Sequence, residues 1–276
     1  MPNKAFRRVL LKDYLLSVSA LISALIFGRF MFEAYLRAMD MTVISGNFYW
    51  LLVALFILGY LLCEVWNRLF RNGMNNRGFH EQYSHLSRYV EDMSTRIGVK
   101  TPRLAVEDRN GINGSSEGRL LFQSKINISV PAIALLPLRH NEAILAHEMA
   151  HIRLNHSMFS FFTAYALKGS VELLLIPLML KACLAPSFVY IPLSLGWFAL
   201  RQLSEFLLFW LSRQNEFSAD ALGALCMKSP EAMIELGQIL KELKQDAPCS
   251  RLEYLFRSHP TPDERIAKLQ HLLNDA

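Results

Sequence analysis

The sequence predicts a mainly α-helical membrane protein, with about four spanning helices and a smaller α+β domain on one face of the bilayer that carries a small sheet and an edge strand. Three observations lead there. The 276 residues are 52% hydrophobic and 19% charged, too apolar for an ordinary soluble domain and too charged for a chain buried throughout in lipid. Four apolar runs approach the roughly 20 residues needed to cross a hydrocarbon core. The intervening and following stretches are polar and keep a helical period, apart from one short alternating region.

Residues 1–66 form an N-terminal membrane region with spans expected at about 14–36 and 48–66. Arg29 and Glu33 interrupt the first; Phe48, Tyr49, Trp50 and Trp66 flank the second, where aromatic rings favour the membrane interface. A basic start before an apolar run also fits a signal peptide, yet no small-x-small cleavage pattern follows and a second apolar run comes soon after. An uncleaved first span is therefore expected.

Residues 67–156 are expected outside the bilayer. His80 to Ile97 reads as an amphipathic helix ended by Gly98, and Arg103 to Glu107 as a short strand. A Gly/Asn/Ser-rich turn runs from Asn110 to Gly118, and Arg119 to Val130 alternates like a hairpin or edge strand. A helical run then continues through His151. Residues 157–211 read as a hairpin of two spans, Met158 to Cys183 and Ser187 to Leu211, turning at Pro186. Residues 212–276 are helical, broken near Pro230, near Pro248 and at His259-Pro260-Thr261-Pro262.

The net charge of +5 does not point to nucleic acid. Basic residues cluster beside apolar runs, as Lys4, Arg7, Arg8 and Lys12 do, and later Arg68, Arg71 and Arg77. By the positive-inside rule this places the N-terminus, 67–157 and the C-terminal tail on the cytoplasmic side of a bacterial-type inner membrane or an equivalent one. Cys63, Cys183, Cys226 and Cys249 lack C-x-x-C spacing, so neither a disulfide framework nor a cysteine metal site is expected. Within the hairpin, Lys168 and Glu172 lie four apart, as do Arg201 and Glu205. A turn at Pro186 would set Lys168 level with Glu205 and Glu172 level with Arg201; pairing across the two helices and pairing within each are both open.

The chemistry centres on Ala146-His147-Glu148-Met149-Ala150-His151. Residues four apart stand one above the other on a helix, so two imidazoles can take adjacent corners of a zinc tetrahedron. Glu148, one step round, reaches the remaining position, where it can take a proton from water attacking a peptide bond. The bland alternative is a pair of solvated surface histidines; a strong helical pattern and an adjacent span argue against it. The best third ligand is Glu216, just after the last span, with Asp220 one helical turn on. The hairpin leaves the membrane surface beside His151 and returns beside Glu216.

These residues resemble a family, the HtpX-like membrane metalloproteases and their relatives the CAAX prenyl endopeptidases. The likeness rests on His147-Glu148-Met149-Ala150-His151 with His156 five on, on Glu216-Phe217-Ser218-Ala219-Asp220, and on Ser258-His259-Pro260 followed by Arg265-Ile266. It reaches back to Gly98-Val99-Lys100-Thr101-Pro102. It implies a zincin-like domain holding one Zn2+ on His147, His151 and Glu216, with Glu148 as general base and Asp220 orienting the site. By the same likeness His259 steadies an oxyanion and Arg265 pairs with Asp220. One feature departs: where the family carries Asn-Ala-Phe on its substrate-holding edge strand, this chain has Asn113-Gly114-Ser115-Ser116. The edge strand is expected at Leu120 to Ile128, with Leu120 and Phe122 against substrate through main-chain hydrogen bonds.

The expected function is hydrolysis of peptide bonds in membrane or membrane-associated proteins, with quality control as the implied role. Its partners are then protein or peptide substrates and the lipid bilayer, with no nucleic acid. Two other readings compete: a processing protease for one lipidated or secreted peptide, and a non-catalytic, metal-stapled membrane adaptor. Retention of Glu148 counts against the adaptor. The charged residues in the spans form no inverted repeat, which counts against a transporter.

Overall fold

The computed structural model describes residues 4–38, 47–71, 83–118, 124–184, 188, 190–244, 254–255 and 257–274. Among them are nine α-helices and one three-stranded sheet. Arg77, His80, Leu120, Phe122, Pro186, Pro248 and Cys249 lie outside the described residues.

Helices α1 (Lys4–Ala38) and α2 (Asn47–Arg71) fall on the first two apolar runs. Among the described residues, α1 alone is long and apolar enough to cross a membrane, over Lys4–Arg37, and α2 holds a shorter apolar stretch, Phe48–Leu62. Along α1 the residues Phe6, Asp13, Ser17, Ala24 and Phe32 share a buried stripe, while Leu11, Leu15, Ile22, Ile26 and Phe30 are exposed. The stripe packs chiefly on α6 (His156–Leu184). Gly28 belongs to it: a Cβ there would stand 2.3 Å from the Tyr49 hydroxyl of α2 and 2.6 Å from Ser170 Oγ of α6.

Helix α3 (Ser84–Ile97) buries Leu86, Val90, Met93 and Ile97, one face at helical spacing. Gly98 ends it at φ 76°, its N–H donating to the Ser94 carbonyl, the left-handed cap that glycine adopts without strain. Strands β1 (Arg103–Glu107), β2 (Gly114–Glu117) and β3 (Lys125–Ser129) follow. Their order is β1-β3-β2, with β3 parallel to β1 and antiparallel to β2. This corrects the edge strand expected at Leu120 to Ile128. Its described part is the central strand, with Ile126 and Ile128 wholly buried, and the edge is β2, inside the segment expected as a turn but at the position where the family resemblance puts the edge strand. Gly114-Ser115-Ser116 has no apolar alternation to mark a strand; its pairing with β3 makes it one.

Ser129 then caps the short helix α4 (Val130–Leu135), its hydroxyl accepting from the Ala132 N–H at 3.3 Å with Pro131 in the first turn. Helix α5 (Leu138–Leu154) is buried nearly all round and ends at Asn155, a residue at φ 55°. Helix α7 (Tyr190–Cys226) is continuous for 37 residues, roughly 55 Å at 1.5 Å per residue. It therefore carries Glu216 and Asp220 on the same rod as the expected fourth span. Helices α8 (Glu231–Lys244) and α9 (Pro262–Asn274) close the domain. The start of α9 is a capping box: Thr261 Oγ1 accepts from the Glu264 N–H at 3.3 Å and Glu264 Oε2 accepts from the Thr261 N–H at 2.9 Å.

Two contacts set how α5, α6 and α7 meet. Gly223 of α7 lies against the α5 backbone, where a Cβ would come within 3.2 Å of the Ala146 carbonyl carbon and oxygen. In the hairpin the charges pair across the helices, Lys168 Nζ to Glu205 at 2.8 Å and Arg201 Nε to Glu172 at 3.2 Å. Trp197 Nε1 adds a bond to the Val171 carbonyl at 2.9 Å, and Asn215 donates to Ser160 Oγ at 3.1 Å near the domain. In detergent, Lys168→Glu alone should lower thermal stability, and Lys168→Glu with Glu205→Lys should recover most of the loss. The coupling energy should be on the order of 1 kcal/mol; a double mutant as unstable as the sum of the singles would place the pairing elsewhere.

Candidate metal centre

Helix α5 supplies His147, Glu148 and His151, and α7 supplies Glu216. The two histidines share a helix face because they are four residues apart, and the Gly223 contact brings α7 close enough for Glu216 to meet them. His147 Nε2 lies 3.0 Å from His151 Nε2, Glu216 Oε2 lies 3.5 Å from His147 Nε2, and Glu216 Oε1 lies 3.5 Å from His151 Nε2. Metal–ligand bonds of about 2.0–2.1 Å in a tetrahedron put neighbouring donors about 3.3 Å apart. The two imidazoles and the carboxylate, one oxygen toward each, are spaced for one ion. His147, Glu148 and Glu216 are all buried, while the site opens into a cleft of about 770 Å3 that reaches β2, His259 and Arg265.

The far side of His147 is held by charge. Its Nδ1 lies 2.8 Å from Asp220 Oδ1, one turn beyond Glu216 on α7. Arg265, set by the α9 capping box, grips the same carboxylate with Nε at 2.7 Å and Nη2 at 2.5 Å. Its Nη1 is 3.8 Å from Glu216. His259, largely exposed at the cleft rim, lies 3.4 Å from Glu216 through Nδ1. Arg213 of α7 holds the segment before His259, donating to the Arg257 carbonyl at 2.6 Å with its guanidinium against the Tyr254 ring.

The edge strand β2 passes close to Glu148. A Cβ on Gly114 would fall 2.5 Å from Ile144 Cγ2 and 3.3 Å from Glu148 Oε1, so the absent side chain lets main chain lie against α5. Leu120 and Phe122 lie outside the described residues.

Beyond these, the far side of His151 leads through His156 to Asp13, which the sequence pattern did not single out. His151 Nδ1 is 2.7 Å from His156 Nδ1, and His156 Nε2 is 3.0 Å from Asp13 Oδ1 on α1. The available signal was an acid at an inward position of an apolar helix, four residues before Ser17. An acid in a basic N-terminal stretch reads instead as a surface charge.

Comparison with known proteins follows the same geometry. The profile of peptidase family M48 matches residues 80–273. The chain belongs to peptidase family M48. It is thereby a metallopeptidase, a hydrolase of peptide bonds. It is 26% identical over 219 residues to a protease HtpX homolog of Dictyoglomus turgidum, covering 69% of this chain and 70% of that one. Over 205 residues it is 26% identical to protease HtpX of Idiomarina loihiensis, with coverage of 67% and 71%. The fold is similar to that of S. mikatae Ste24p, with a TM-score of 0.55 at 18% identity, over 94% of this chain and 67% of that one.

Electrostatics of the M48 site follow from its burial. Burial alone would lower the His147 imidazole, but the bond and charge of Asp220, with those of Glu216, raise it from 6.5 to about 10. Burial would raise the carboxyls; Arg265 and His147 hold Asp220 below the usual carboxylate range, and His147, His151 and His259 hold Glu216 far below it. Burial keeps His156 below the ordinary imidazole value despite Asp13. Because the folded value of His147 is raised, its protonated form contributes stability to the metal-free protein fully below about pH 6.5, and the contribution is lost as pH rises through about 10. The melting temperature of metal-free protein should therefore fall between pH 7 and 10, and Asp220→Asn should flatten that fall.

Proposed function

We propose that this M48 peptidase is a zinc-dependent endopeptidase embedded in a membrane, with one ion on His147, His151 and Glu216 and Glu148 as general base. Its substrates are membrane or membrane-associated proteins, in a quality-control role, and its cleft faces the cytoplasm of a bacterial-type inner membrane. The observation that carries the reading is the cluster of His147, His151 and Glu216 beside Glu148, the imidazole nitrogens 3.0 Å apart and one carboxylate oxygen 3.5 Å from each, at the floor of a cleft edged by a strand.

Zinc bound there supplies Lewis acidity and lowers the pKa of water. Glu148 accepts the proton as the hydroxyl oxygen bonds to the peptide carbonyl carbon, and it delivers a proton to the amine nitrogen as the C–N bond breaks. Substrate lies extended along β2, paired through main chain, which tolerates many sequences. That breadth suits the turnover of diverse proteins better than the processing of one peptide. His259, at the rim beside Glu216, is placed to donate to the developing oxyanion.

Membrane embedding has its own support. Exposed apolar side chains stripe four long helices, among them Ile22 and Phe30 on α1, Leu55 on α2, Phe161 on α6, and Phe198 and Leu207 on α7. Contiguous apolar surface of that kind is rare on soluble monomers. These helices are read as four spans, with Lys4, Arg7, Arg8 and Lys12 exposed on the cytoplasmic side.

Two measurements test the reading. Detergent-purified protein should cleave an unstructured substrate such as casein, a chelator should stop it, and Glu148→Gln should retain about one zinc per chain while losing activity by at least 10²-fold. Zinc retained in both forms with no cleavage by either would favour the metal-stapled adaptor. Gly114→Ala should leave metal content unchanged and lower kcat/KM for casein by about tenfold, through displacement of β2 from Glu148. An unaltered rate would place substrate on another edge.

A further inference from the structure

Two ligand histidines sit in this site, and only one of them, His147, touches an anchoring carboxylate directly. The other, His151, faces a second histidine. On an uninterrupted helix His156 would point about 140° away from His151, because five residues advance the helix by about 500°. Asn155 breaks the run. At φ 55° it is the one non-glycine residue with positive φ among the described residues, and asparagine tolerates that region better than most side chains. The kink starts α6 in a new direction and brings His156 Nδ1 to 2.7 Å from His151 Nδ1.

Asp13 lies beyond His156. Its side chain is wholly buried, His156 Nε2 is 3.0 Å from its Oδ1, and its Oδ2 has no hydrogen-bond partner among the described residues. The neighbouring Tyr14 fixes α1 at the same junction: its hydroxyl donates to the Arg153 carbonyl at 3.2 Å, and its ring meets Phe159 edge-on. A buried carboxylate with a single imidazole partner is costly unless positive charge lies near. A metal on His151 would supply that charge two imidazoles away.

We propose that Asp13 of α1 is a positioning residue of the metal centre, acting through His156 to fix the orientation and tautomer of His151. This rests on the zinc-peptidase reading. Proton placement follows from the geometry. His151 Nε2 faces His147 and Glu216 and is the ligand atom, so His151 Nδ1 carries the hydrogen and donates to His156 Nδ1. The remaining hydrogen of His156 is then on Nε2, which donates to Asp13 Oδ1. Each ligand imidazole thus ends on a carboxylate, His147 directly on Asp220 and His151 through a relay on Asp13. Such outer partners raise ligand basicity and hold ring orientation. Residue 13 lies outside the span 80–273 matched to the family, so the first helix completes the peptidase site as well as entering the membrane.

The test uses the full chain in detergent and reads metal affinity by competition with a chromogenic chelator, together with the absorption spectrum of the cobalt-substituted protein. Asp13→Asn, nearly isosteric, should weaken zinc binding by about 10- to 100-fold and alter the cobalt spectrum. His156→Leu should do the same. His156→Gln should recover most of the affinity, since its amide oxygen can accept from His151 while its NH2 donates to Asp13. A general loss of folding would not separate the Leu and Gln variants. Wild-type affinity and spectrum in Asp13→Asn would overturn the proposal, as would equal affinities in the two His156 variants should Asp13→Asn fail to fold. If wild-type protein itself binds no zinc, the peptidase reading falls first; if it binds zinc tightly and Asp13→Asn matches it, only the relay falls.

Discussion

The contact between Gly223 and the Ala146 carbonyl is the constraint on which the rest of the site depends. His147 and His151 come from one helix and Glu216 from another, with the α6–α7 hairpin between them in sequence. Gly223 lets the α5 and α7 backbones approach closely, and Glu216 on α7 stands 3.5 Å from both His147 and His151. A β-carbon at residue 223 would meet α5 main chain at 3.2 Å, and main chain has no rotamer by which to yield. The buried Ala143, Ala146, Ala150 and Ala219 extend the same logic along the crossing. Small residues there give up buried area and gain a short interhelical distance.

That distance is also set along the α6–α7 hairpin. The pairs Lys168–Glu205 and Arg201–Glu172 fix the sliding register of α6 against α7, and Asn215 to Ser160 fixes it again near the domain. In the proposed membrane setting, apolar side chains alone would leave such a hairpin free to slip, since lipid and leucine are nearly equivalent partners. Charges would be costly there and would therefore discriminate strongly between registers. Glu216 sits on the same unbroken helix as Arg201 and Glu205, so the register of the hairpin is transmitted rigidly to the metal site.

Buried charge around the site is arranged in layers. His147, His151 and Glu216 are placed to give electron pairs to one cation, Asp220 backs His147, and Arg265 backs Asp220 while approaching Glu216. The position of Arg265 depends on a purely local device, the Thr261–Glu264 capping box that starts α9. Local capping chemistry and a long-range ion pair thus converge on one guanidinium. On the other side, the route from His151 through His156 to Asp13 ties the first helix of the chain to the catalytic helix.

What the sequence determined by itself was everything with a short period. The i, i+4 spacing of His147 and His151, the glycine that stops α3, the proline breaks before α8 and α9, and the complementary charges at 168, 172, 201 and 205 are all legible as strings. Each depends on neighbours within one or two helical turns, or on the symmetry of a single hairpin. The tertiary structure decided which of the two charge pairings forms, since both arrangements satisfy the string. It also decided which strand is the edge. Alternation at Lys125–Ser129 marks a strand without saying that β1 and β2 cover both its sides, and Gly114–Glu117 carries no strand pattern at all. Asp13 was illegible for a similar reason. Nothing within 100 residues of it in the sequence requires a carboxylate, and its meaning arises only when the kink at Asn155 turns His156 back toward His151 and α1 packs against that corner.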